Sequence, residues 1–235
     1  MTSTEEVPKT KADSNEDEDV DNYKEEIDRL VRRHRNEKHA PELLPFDQQM
    51  VESISEVLHF VENSLMEDRN SGDQGPTHVH FYLRSTEMDR LTYLLTDYLR
   101  IRLHKLRKYP LYYLEPQRQN FLSSCERTWL REFWDNKRRY LENRFLGVLP
   151  ENKRKLDEKV DHQMDMIRSP SMQTHIYARI HADLGNLPTA TRASSQGSTP
   201  AAPFNPEEGE SYLMRYEVVR QFLVQPEHDG KVQLL

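Results

Sequence analysis

The chain has a single cysteine, Cys125, in 235 residues. That excludes an internal disulfide and any cysteine-rich zinc or iron–sulfur site, and it fits a reducing compartment. Cys125 falls in the first turn of a helix, where we read it as packing rather than as a nucleophile. Glycine is also scarce: there are seven in the chain, none clustered ahead of a helix, which argues against a phosphate loop built from backbone amides. No apolar run approaches the roughly 18 residues needed to cross a bilayer, so no membrane partner is expected. The acidic N-terminal region lacks the apolar core of a secretory signal and the basic character of a transit peptide, so a soluble intracellular protein is expected. Gly-x-Ser-x-Gly, His-Glu-x-x-His and paired-aspartate metal motifs are all missing. His78 and His80, and His175 and His181, lack the spacing that places ligands on one helix turn, and we read them as solvated or core-edge residues. The sequence therefore calls for no catalytic residue, no cofactor and no metal.

What is present is charge, unevenly spread. The net charge of −7 gives no support to a protein-wide nucleic-acid surface. The acidic groups concentrate early (Glu16 to Asp19, then Glu25, Glu26 and Asp28). Basic residues concentrate in Arg100 to Lys108 and Arg127 to Lys155.

The periodicity predicts a mainly α protein: an N-terminal helical bundle followed by a small β-rich module. Residues 1–20 have almost no apolar content and are expected to be disordered. Residues 21–158 form the helical domain. Its first helix starts near Tyr23, and a Pro-punctuated connector runs from Asn36 to Pro45. A second helix carries Met50, Ile54, Val57, Leu58, Val61 and Leu65 at helical spacing. After a loop at Ser71–Pro76, a third helix starts at Ser85 or Thr86 and runs to Lys108, followed by Pro110. A fourth opens on a capping box, Ser123 to Glu126, in which side chain and backbone satisfy each other's orphan groups. Residues 159–235 form the β-rich domain. Strands are expected at His175–Ile180, Tyr212–Tyr216 and Lys231–Leu235, with helical turns at Val218–Val224 and a mobile loop at 186–210.

The third helix is the most informative tract. Leu91, Leu94, Leu95, Tyr98, Leu99, Ile101, Leu103 and Leu106 spread over roughly 200° of its circumference, against about 100° for an ordinary surface helix. Arg102 and Lys105 project inside that arc, where an unpaired charge would cost several kcal/mol, so both are expected to find acidic partners. Arg107 and Lys108 point outward and are the candidate DNA-contact residues. In the fourth helix Trp129, Phe133 and Tyr140 form one stripe and Trp134 lies on another, again more aromatic surface than a small bundle hides. Interface or buried packing is therefore expected for Leu94, Leu95, Tyr98, Arg102, Lys105, Trp129, Phe133, Trp134 and Tyr140, joined in the β-rich domain by Tyr216, Val232 and Leu234.

Several of these stretches, taken in order, resemble the GINS replication complex family, in its Sld-five (GINS subunit four) branch. They are Asn36-Glu37-Lys38-His39-Ala40-Pro41-Glu42-Leu43-Leu44, Met88-Asp89-Arg90, Tyr98 to Lys105, Arg131-Glu132-Phe133, Tyr140 to Asn143, and Val232 to Leu235 with Arg215-Tyr216 upstream. The resemblance implies a helical A-domain, a smaller β-rich B-domain, and a non-catalytic structural role in a nuclear heterotetramer with three Psf-type subunits. It further implies that this complex joins the MCM helicase ring and Cdc-forty-five in DNA replication. The chain departs from the family pattern at Trp134 and in the long 186–210 segment. The alternative reading is a direct DNA-binding module using residues 100–108 and 127–155.

Overall fold

Helix α1 (Lys11–His39) ends where Pro41 forces its neighbour Ala40 out of the helical region. In this computed structural model, residues 11–71, 79–161, 164–187 and 204–235 are described. The helix starts earlier than Tyr23, so residues 11–20, expected to be disordered, are helical, while residues 1–10 lie outside the described set. Extending a nucleated helix costs little per residue, which overrides a local composition read as disorder.

Helices α2 (Gln48–Ser71) and α3 (Val79–Lys108) follow. The expected loop at Ser71–Pro76 falls outside the described residues apart from Ser71, which closes α2. Helix α3 begins six residues before Ser85, and neither Ser85 nor Thr86 caps it. Thr86 Oγ1 instead donates to Tyr82 O within the helix. The extra turns are tied to α2 by Arg84, which bonds Asp68 at 3.1 Å and Ser64 at 2.8 Å.

Pro110 opens a short helix, α4 (Pro110–Leu114), and a 3₁₀ segment spans Pro116–Phe121. Helix α5 (Ser124–Arg144) carries the complete capping box: Ser123 Oγ accepts from Glu126 N, and Glu126 accepts from Ser123 N.

The β-rich part holds a small hairpin, β1 (Lys159–Asp161) with β2 (Met164–Asp165), and a three-stranded antiparallel sheet ordered β4-β3-β5. In that sheet β3 is His175–Ile180, β4 is Ser211–Arg215 and β5 is Val232–Leu234, with α6 (Tyr216–Val224) packed on one face. The strict alternation of β3 is visible in its burial: Ile176, Ala178 and Ile180 are buried, and His175, Tyr177 and Arg179 are exposed. Within the expected 186–210 loop, Leu187 and Phe204 form an isolated bridge, and residues 188–203 lie outside the described set.

By contacts the chain divides into two compact units. Unit 1 comprises residues 1–31 and 49–95; unit 2 comprises residues 32–48 and 96–235. Unit 1 is helical, with Leu30, Met50, Ile54, Leu65 and Leu91 buried. Unit 2 holds two hydrophobic cores. One joins Leu43 to Leu106, Tyr109, Tyr112, Tyr113, Leu122 and Leu130. The other joins Ala40 and Leu44 to the sheet and α6. The connector divides its side chains between the two cores. Leu43 enters the helical core and Leu44 the β core.

Candidate functional site

Between these two cores of unit 2 lies a buried ionic cluster, assembled by the last turn of α1, the connector, α3 and α5. Arg102 is completely buried. Guanidinium offers five N–H donors, and all five are used. Nε donates to Glu126 Oε1 at 2.7 Å. Nη1 donates to Glu37 Oε2 at 3.2 Å and Leu44 O at 2.8 Å. Nη2 donates to Glu126 Oε2 at 3.0 Å and Phe121 O at 2.9 Å. The rings of Phe46 and Tyr98 lie 5.0 and 5.6 Å from its guanidinium carbon. Lys105 is satisfied in the same way: its three donors reach Glu37 O, Glu37 Oε1 and Glu42 O.

The acids are shared. Glu126 both caps α5 and clamps Arg102. Glu37 bridges Arg102 and Lys105 and also accepts from Leu44 N. Glu42 faces the β-rich side, where Tyr216 donates to it at 2.8 Å and Arg220 binds it through two nitrogens. Tyr113 completes the arrangement by accepting from Leu43 N at 2.8 Å. At the periphery His34 meets Asp97 at 2.7 Å, and Arg33 bridges Asp47 and Asp229.

Burial and charge set the titration of these groups. Burial alone would depress Arg102, but the Glu37 charge and the Glu126 bond outweigh it, so it is held above its ordinary range. Burial is decisive for Lys105 and pulls it down, with Glu37 opposing. The Tyr98 hydroxyl is pushed up to about 12, chiefly by burial. Burial likewise raises Tyr113 and, with Glu42 adding to it, Tyr216.

The sequence-expected residues fall into three groups. Arg102, Lys105, Tyr98, Tyr216, Val232 and Leu234 are buried together in unit 2. Leu94 and Leu95 are half-buried in unit 1, and Trp129, Phe133 and Trp134 are half-buried on α5. Trp129 stacks on Phe133 at 5.2 Å, while Trp134 lines a groove with Leu111, Arg138 and Leu146. Tyr140, expected at an interface or in buried packing, is 59% exposed in this chain and sits against Arg144. Cys125, read as packing, is likewise exposed. Arg107 and Lys108 face solvent. His78 lies outside the described residues. Among the described residues no group of three or more His, Cys, Asp or Glu side chains could hold a metal ion, and no helix is long and apolar enough to cross a membrane.

The acidic partners Glu37 and Glu42 went unidentified at the sequence level, as did Tyr113 and Arg220. The one sequence signal is Glu42, which stands among Ala, Pro and Leu in the connector; Glu37 lies in the last turn of α1, where an acid reads as a solvated helix residue.

The arrangement holds segments together and presents no cleft with convergent reactive groups. The family model described as the GINS complex protein helical bundle domain, Sld5, matches residues 60–145. A protein named DNA replication complex GINS protein SLD5 from Rattus norvegicus is 27% identical over 241 residues, covering all of both chains. Its namesake from Homo sapiens is 29% identical, covering 89% of this chain and 88% of its own. That from Arabidopsis thaliana is 28% identical, covering 89% and 91%. The similarity to these relatives extends over most of the chain, which is similar to the Sld5 family of GINS complex proteins.

Proposed function

We propose that this chain is the SLD5-type subunit of a GINS complex acting in DNA replication, with a structural and non-catalytic role. It assembles with three Psf-type subunits into a nuclear heterotetramer, which joins the MCM ring and Cdc-forty-five in the replicative helicase. In this reading residues 21–158 serve as the helical A-domain and residues 159–235 as the B-domain. The observation that carries it is apolar surface left on the helices, much of it within the matched segment. Phe60 is 69% exposed and Leu83 61%, and Met66, Val79, Tyr82 and Tyr93 are exposed beside them in sequence. Large contiguous apolar surface marks an interaction site on a soluble protein.

Direct DNA contact is the weaker reading. Within the basic 127–155 stretch, Arg138 is paired with Glu142 at 2.9 Å, and Lys155 with Glu158 at 3.4 Å. The test is co-expression with the three Psf-type subunits, followed by size-exclusion with light scattering. A stoichiometric complex is expected, and Phe60→Glu with Leu83→Glu should abolish it. A monodisperse monomer that ignores those subunits would overturn the proposal.

A further inference from the structure

Two exposed basic segments meet in unit 2 at a groove on the outer side of the ionic cluster, with Lys105 shared between the two. Its volume is 330 Å³; Ala40, Pro41, Ile101 and Tyr109 give it an apolar lining, and Lys38 and Lys108 stand at its rim. Ala40 and Tyr109 are buried, while Lys38, His104 and Lys108 are exposed. Arg35 and Arg107 lie one helical turn or less from the rim on α1 and α3, both exposed. Among the described residues no acidic side chain pairs with Lys38, Arg35, Arg107 or Lys108. Glu37, the nearest acid in sequence, is turned inward and already committed to Arg102 and Lys105.

The ordinary explanation for cations here is that α1 and α3 both end nearby, and basic residues in a last turn offset the helix dipole. That accounts for too little. Each helix end carries about half a negative charge, roughly one in all, against four full cations in Arg35, Lys38, Arg107 and Lys108. His39 nearby has its pKa lowered, first by burial and then by Lys38, His34, Arg35 and Lys105.

We propose that this groove is a docking site for an acidic segment of a partner protein that carries one large apolar side chain. The apolar lining takes the anchor, and Lys38 and Lys108 take carboxylates on either side of it. A phosphate backbone would satisfy the rim but leave the lining unused, so peptide is favoured over nucleic acid. The site is independent of the helical surface assigned to subunit assembly.

The test uses the full chain and three fluorescein-labelled probes in fluorescence anisotropy. These are a twelve-residue Asp/Glu peptide with a central Phe, the same peptide with Ala in its place, and a twelve-nucleotide oligothymidylate. The Phe peptide should bind best, with affinity falling as salt rises, and the Ala peptide at least fivefold more weakly. Lys38→Glu with Lys108→Glu should weaken the Phe peptide at least tenfold, while Arg127→Glu with Arg131→Glu on α5 leaves it unchanged. Far-UV circular dichroism checks the fold, and Lys38→Ala with Lys108→Ala gives a milder arm expected to lose about threefold. Equal binding of the Phe and Ala peptides, tighter binding of the oligonucleotide, no effect of the Lys38 and Lys108 changes, or no binding at all would each overturn the proposal.

Discussion

In unit 2 charge goes inside: Arg102, Lys105, Glu37, Glu42 and Glu126 are all buried, and each is held by several partners. In unit 1 the pairs stay on the surface, as in Arg84–Asp68 and Arg90–Glu87, while Phe60, Tyr82 and Leu83 face solvent. The first arrangement gains little net energy, because desolvating ions offsets most of their attraction. What it supplies is directional specificity. A fully used guanidinium accepts one arrangement of connector, α3 and α5, whereas apolar contacts would tolerate several. The second arrangement leaves a surface that another protein can complete. Unit 2 fixes its own segments through buried charge while keeping exposed apolar side chains such as Val148 and Tyr177, whereas unit 1 has no such internal lock among the described residues.

The contrast can be broken most strongly at Arg102. Arg102→Met strands Glu37 and Glu126 without their shared cation and should cost about 3–5 kcal/mol in urea unfolding. The matching change in unit 1, Arg84→Met, should cost under about 1 kcal/mol, because that pair is exposed. Equal losses would erase the distinction between the units.

Alkaline pH probes the same cluster. The Tyr98 pKa is raised from 10.0 to about 12, so its contribution is complete below pH 10 and is lost as pH climbs through 12. The amount is about 3 kcal/mol at most. Lys105 is lowered from 10.5 by burial, so its effect has the opposite sign and favours the folded state as pH rises toward that value. Tyr98→Phe should flatten the decline between pH 10 and 12 in a stability–pH series, and an unchanged slope would dismiss this assignment.

A smaller effect is expected at Glu42→Gln, which weakens the bonds to Tyr216 and Arg220 for about 1–3 kcal/mol. Hydrogen exchange should then quicken in β3 and β5 while unit 1 amides keep their rates. The smallest change is in unit 1: Phe60→Ser or Leu83→Ser should leave stability within about 0.5 kcal/mol and improve solubility. Substantial unfolding by either would mean that these side chains support unit 1 itself.

The elements legible in the sequence were those with local causes. The α5 capping box needs only Ser123 and Glu126, three residues apart, and β3 announces itself by alternation. Arg102 and Lys105 could be placed on the inner side of α3 from angle alone. Their partners could not, because Glu37 lies 65 and 68 residues away and nothing local ties a glutamate in the last turn of α1 to a distant helix. Helix α4 and the 3₁₀ segment after it are too short to show a period. Cys125, read as packing from its place in the first turn of α5, is exposed because what lies opposite that turn is decided elsewhere in the fold.

Asn36 has a consequence in time. Its Oδ1 accepts from Leu234 N at 2.8 Å and its Nδ2 donates to Val232 O at 3.5 Å, so one amide side chain occupies the outer edge of β5 across 198 residues of sequence. Unit 2 therefore cannot close until β5 has been synthesised, whereas every residue of unit 1 has been made by Leu95. At roughly 5–20 residues per second the ribosome needs about 7–28 s to cover the interval. During that delay the nascent chain carries a completed helical unit with Phe60 and Leu83 exposed, ahead of a unit that is still open. Partner capture on the ribosome would thus be available to the first unit before the second has closed.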